Sequence, residues 1–197
     1  MAETASSILS AWSNFYIMTG SSAAALTGLM FIVITLVMGS ERPRRNPDGI
    51  GTYSTPTVVH FCAALLVSAI LSAPWRSLAL AGAFLGLTGL AGVFYVLRVM
   101  FRTRRLIDYK PDAEDWTWYT ILPSLAYVAI LAGAIALPPD PVVALFVIAG
   151  GAMLLIFIGI RNAWDIVTFI AIGGFRDLPN SSRHDQTDRS SQELPPS

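Results

Sequence analysis

Residues 19–30 read TGSSAAALTGLM and sit inside an apolar run that spans residues 15–38. At the helical period Gly20, Ala24, Thr27, Gly28, Phe31 and Thr35 share one face. The first four make a groove of small side chains carrying one hydroxyl. Lipid supplies no hydrophobic force between helices, so they associate by close backbone approach, which Gly, Ala, Ser and Thr permit. The run also exceeds the about 20 residues that a hydrocarbon core requires. Together these features predict a membrane helix around which the rest of the chain packs.

Working outward, four more apolar runs follow, near residues 56–73, 77–101, 117–137 and 142–160. The composition agrees: of 197 residues 54% are hydrophobic and 13% charged, with a mean hydropathy of +0.58. Soluble domains carry about 25% charged residues. The expected fold is therefore all-α, a polytopic bundle of about five transmembrane helices. Residues 1–14 form a polar external segment, and Trp12 joins Phe15 and Tyr16 beyond its end in an aromatic cluster of the kind found at headgroup level. They hold Glu3 and no Lys or Arg, so they do not read as a signal peptide, which needs a positive start.

Between the runs the punctuation is clear. Residues 40–55 hold prolines, glycines and arginines and read as a loop, with Thr55 capping a second helix that has Pro56 at its first position. Pro74-Trp75-Arg76 and Pro138-Pro139-Asp140-Pro141 make two tight hairpins. Residues 161–174 continue the helical pattern, either extending the fifth helix or lying along the interface as an amphipathic segment. Residues 175–197 are polar and aperiodic and read as a disordered tail.

Basic residues orient the bundle. All 13 except Arg76 lie on the side shared by the first loop, the third loop and the C-terminus. The positive-inside rule then puts the C-terminus in the cytoplasm and the N-terminus outside, in a multi-pass inner-membrane arrangement. Net charge is zero, so nothing draws the chain to nucleic acid. The bilayer itself, further copies of the chain or another membrane protein are the expected partners.

Ionisable groups inside membrane helices are the default functional candidates. His60 is the only histidine in an apolar run and reads either as a hydrogen-bonded structural residue or as a ligand or proton relay. Arg98 falls opposite Gly82, Gly86 and Gly89. It either reaches to the headgroups or pairs with His60 or a carboxylate. Arg161 and Asp165 are one helical turn apart and form a local ion pair, or a charged ring in an assembly. Gly20, Ala24, Gly28, Gly82 and Gly86 are the expected helix-packing positions.

A single cysteine, Cys62, excludes an internal disulfide and a multi-cysteine metal site. No HExxH, GxSxG or phosphate loop is present, and no catalytic residue, metal or cofactor is expected. GLTGLAG at 86–92 lies inside an apolar run, where it is a packing surface. Residues 12–31, WSNFYIMTGSSAAALTGLMF, with 55–75, TPTVVHFCAALLVSAILSAPW, resemble an uncharacterised family of small bacterial inner-membrane proteins. The resemblance reaches to about residue 164 and implies no known activity, cofactor or site residue.

The leading expectation is a non-enzymatic membrane protein that self-associates or serves as an accessory subunit. The alternative is a small pore or transporter lined by hydroxyls such as Thr19, Ser22, Thr27 and Thr35. A membrane enzyme would require His60, Arg98 and residues 161–165 to converge.

Overall fold

A computed structural model describes residues 2–39, 47–104 and 116–176. The described chain runs α1 (Ala2–Gly39), α2 (Pro47–Ser72), α3 (Leu78–Arg104), a π-helical turn (Thr117–Ile121), α4 (Leu122–Ala136) and α5 (Pro141–Arg176). Strands are absent among the described residues. Five stretches are long and apolar enough to cross a membrane: Ser7–Thr35, Thr55–Ser72, Leu78–Phe101, Thr117–Ala136 and Pro141–Thr168.

The ends of these helices follow local chemistry. Asp140 Oδ1 accepts the Val143 N–H at 3.3 Å, capping α5 just before Pro141. At the end of α2 the Trp75 indole donates to the Ile70 carbonyl, one of the carbonyls a helix end leaves over. Trp75 then stacks on Phe84 of α3, centroids 5.3 Å apart, which holds the hairpin closed. Before α4 the backbone widens into a π turn, and the Leu122 N–H reaches back to the Thr117 carbonyl. Pro123, which has no N–H to give, follows immediately.

Several boundaries differ from those read in the sequence. Residues 2–14, read as a segment preceding the first helix, are the first part of α1. Leu9, Trp12 and Tyr16 recur at helical spacing and face the core, while Ser10 and Ser13 bond their hydroxyls to carbonyls three residues back. A polar-looking segment thus satisfies its side chains locally and keeps an apolar edge. Pro56, expected to open α2, lies inside it, since the helix begins at Pro47. Membrane-type helices tolerate an interior proline because neighbouring packing compensates the lost bond. Residues 161–174 extend α5 without a break. Residues 47–55, read as part of the first loop, are the first turns of α2. Residues 40–46 of that loop, 105–115 of the third loop and the tail 177–197 lie outside the described residues.

Helices α2, α5, α4 and α3 pack in that order around a ring, and α3 returns to touch α2. Alternation along the chain makes every neighbouring pair antiparallel. Helix α1 lies outside the ring, along α2 and against an edge of α5. This overturns the expectation that the first helix is the organising one. In the most apolar window of α1, 22% of residues are buried, against 56% in α5. The buried seam of α1 is Leu9, Tyr16, Ala23 and Met30, a repeat of seven. At the helical period that seam is rotated by roughly 80° from the face of small residues.

Small residues do bring the ring together. A Cβ at Gly82 would stand 2.8 Å from the Ala134 carbonyl oxygen, and one at Gly89 2.9 Å from the Leu131 nitrogen. The α3 groove therefore receives α4 as its spacing predicted, while Leu80, Phe84, Leu87, Leu90 and Phe94 point outward. Small inside and large apolar outside is the reverse of a soluble helix, and it is the pattern that lipid permits.

Candidate functional site

Polar side chains are not spread evenly through the ring. Apart from Ser68, which faces α1, the buried ones gather at the end where α2 and α4 begin and α5 leaves, which we call the polar end. At the opposite end the interior is Leu71, Leu137, Ala144, Leu145 and Ile148.

His60 projects from α2 with 2% of its surface exposed, and its Nδ1 lies 3.0 Å from the Tyr127 hydroxyl of α4. Because α2 and α4 are not neighbours in the ring, this bond crosses the bundle. The sequence geometry explains how the two meet. His60 follows Thr57 by one turn on the inward face of α2, and Tyr127 follows Pro123 by one turn on the inward face of α4. The Tyr127 ring is seated because Gly92 of α3 has no side chain, and a Cβ there would fall 2.0 Å from the ring. Of the two readings of His60, the structure gives it a hydrogen-bond partner from another helix. A neutral imidazole and a phenol satisfy one another without a buried charge, which would be far more costly.

Asn162 of α5 is fully buried, and among the described residues neither Oδ1 nor Nδ2 has a hydrogen-bond partner. Its level follows from the neighbouring turn, where a Cβ on Gly159 would meet the Phe61 ring of α2 at 2.3 Å. In an antiparallel pair three further residues along α5 correspond to about one turn back along α2. This places Asn162 level with Thr57, itself fully buried.

Arg161 pairs with Asp165 as its spacing predicted, each side chain remaining partly exposed. Its guanidinium also lies over the Trp118 ring of the π turn, 5.4 Å from the centroid. That contact joins the exit of α5 to the approach to α4. An ion pair this accessible contributes about 0–1 kcal/mol.

Arg98 is exposed on α3, and His60 is bonded instead to Tyr127. Among the packing positions, Gly20 lies against α2, where a Cβ would meet Ser68 Cβ at 3.0 Å. Gly86 is in ordinary contact range of α4, near Ala134 and Leu131. Ala24 is exposed, and Gly28 has nothing within 4 Å of its Cβ position. These two therefore do not pack helices within the chain. The hydroxyls of Thr19, Ser22, Thr27 and Thr35 each donate to the carbonyl four residues back, and Ser22 and Thr35 are exposed. Among the described residues no three His, Cys, Asp or Glu side chains assemble as a metal-binding group.

Sequence reasoning missed Tyr127 and Asn162. For Tyr127 a signal existed, since a phenol within an apolar run needs a partner as much as a histidine does. By helical period alone Asn162 shares one side of α5 with Arg161 and Asp165. Only the rotation of α5 separates the inward amide from the outward ion pair.

A concave feature lies at the other end, between the start of α1 and the α2–α3 turn. This cleft of about 390 Å³ is lined by Leu9 and Leu71 at its floor and by Ser10, Ser13, Trp75 and Arg76 towards its rim. Comparison with protein-family models, with curated proteins and with solved structures finds no match.

Proposed function

We propose that this chain is a multi-pass protein of a bacterial inner membrane that acts by association and not by catalysis. It joins copies of itself, or a partner membrane protein as an accessory subunit, through the outward face of α1. Its orientation follows the basic residues, with the N-terminus outside and the C-terminus in the cytoplasm. The observation that carries this reading is the open groove. Ala24 is exposed and Gly28 meets nothing within 4 Å, on a helix held to the ring by a different seam. Small residues facing outward let a second backbone approach closely, and they give lipid chains little to pack against.

Native mass spectrometry of the full chain released from nanodiscs tests the proposal. The wild type is expected to emerge as an oligomer or with a protein partner. The double variant Ala24→Leu, Gly28→Leu is expected to emerge as a single chain with its unfolding midpoint unchanged. A wild type seen only as single chains, or an assembly indifferent to both substitutions, would overturn it.

A further inference from the structure

We propose that the polar end of the ring is a binding site, organised on Asn162, for a small uncharged molecule that both donates and accepts hydrogen bonds. Water is the smallest member of that class.

The argument begins with the amide. Asn162 Nδ2 has two hydrogens to donate and Oδ1 has lone pairs to accept, yet all are buried without a partner among the described residues. Buried polar groups in native proteins are nearly always bonded, and an orphan calls for an occupant or a role. In a membrane span, bulk water does not reach the core to relieve the deficit. Asn162 therefore defines what it needs, an acceptor for its N–H and a donor for its carbonyl. A cation or an anion alone offers only one of these.

Its surroundings set the charge. Thr57 lies level with it on α2, and the His60–Tyr127 bond lies deeper along the same axis. Arg161, the nearest cation along α5, is balanced by Asp165 and covered on one side by Trp118. The site thus carries no net charge, and an ion entering it would lose hydration without compensation. Phe61, seated against Gly159, forms an aromatic wall on the next turn.

This differs from the groove on α1 in helix, in face and in chemistry, and neither proposal depends on the other. Radiolytic hydroxyl-radical labelling of the full chain in nanodiscs provides the first readout, because internal water generates radicals where it sits. Phe61 and Tyr127 have no exposed surface, so a dry core leaves both unlabelled. With water at Asn162, both are oxidised in the wild type, and the labelling is lost in Asn162→Leu while Trp75 at the other end is unchanged. Native mass spectrometry provides the second readout. An added small mass in the wild type that is missing from Asn162→Leu, with Phe61 and Tyr127 unlabelled, identifies an organic member of the class. Absence of both signals in the wild type, or either signal surviving in Asn162→Leu, overturns the proposal. Asn162→Thr, which keeps a donor and an acceptor at smaller volume, is expected to retain part of the signal, and a complete loss there would also count against it.

Discussion

Helices α1 and α5 are the two longest in the chain, 38 and 36 residues, and both carry glycine and alanine along their apolar stretches. Yet α5 is enclosed by two ring neighbours and touched by α1, whereas α1 rests on the outside. The difference lies in which way the small residues face. On α5, a Cβ at Gly151 would sit 2.9 Å from the Ala126 carbonyl oxygen, and Gly159 receives the Phe61 ring. The inward glycines of α5 thus admit α4 on one side and α2 on the other. On α1 only Gly20 is used this way, and the docking relies on larger groups. Tyr16 donates to the Leu145 carbonyl at 3.2 Å, and Trp12 meets Phe146 edge-on at 4.7 Å. A helix that docks by aromatic side chains keeps its small face free. One that docks by its small face is drawn into the centre.

Substitutions can break this contrast. The largest effect is expected at Gly159→Leu and Gly92→Leu, where the added side chain would displace Phe61 or Tyr127 outright. Overpacking of this kind costs about 1–3 kcal/mol and occasionally more. Titration with a denaturing detergent should show the unfolding midpoint falling sharply, and a midpoint within error of wild type would refute the packing described. Next comes His60→Leu, which leaves the Tyr127 hydroxyl buried without its partner, at about 1–3 kcal/mol. Here Tyr127→Phe should recover part of the loss in the double variant, and strict additivity would show that the bond across the bundle is not made. Tyr16→Phe removes one hydrogen bond between α1 and α5 and should cost about 0.6 kcal/mol, the average for such bonds in membranes. Proteolysis at the start of α1 should become faster while the ring keeps its midpoint. Gly28→Leu is expected to change the unfolding midpoint least, within about 0.5 kcal/mol, as for substitutions away from packed sites. A large loss there would mean that α1 is docked by its small face after all.

The interior of the ring repeats the contrast along its length. The turn end is closed by aliphatic side chains and by a cap at each hairpin, whereas the polar end contains Thr57, His60, Tyr127 and Asn162. His60 was legible as a candidate because a histidine in an apolar run stands out. Its partner was not, because Tyr127 is 67 residues away and belongs to a helix that does not neighbour α2. Arg161 and Asp165 were legible as a pair because helical spacing alone brings them together. Which helix Gly28 would pack against was not legible, because a face of small residues looks the same in sequence whether it is covered by the chain or left open.

Apolar length, proline and glycine punctuation, and capping residues such as Asp140 act within a few residues of chain, so the sequence alone was enough to establish an all-α chain with five membrane-length helices. The small-residue spacing of Gly82, Gly86 and Gly89 was enough to mark the α3 surface that receives α4. Tertiary structure decided the rest: that α5 and α2 are central and α1 peripheral, that Pro56 lies within a helix, and that His60 bonds to Tyr127. Each of these depends on the rotation of a helix about its own axis relative to a neighbour. Rotation is set by the combined packing of several helices at once, and no local pattern in one of them encodes it.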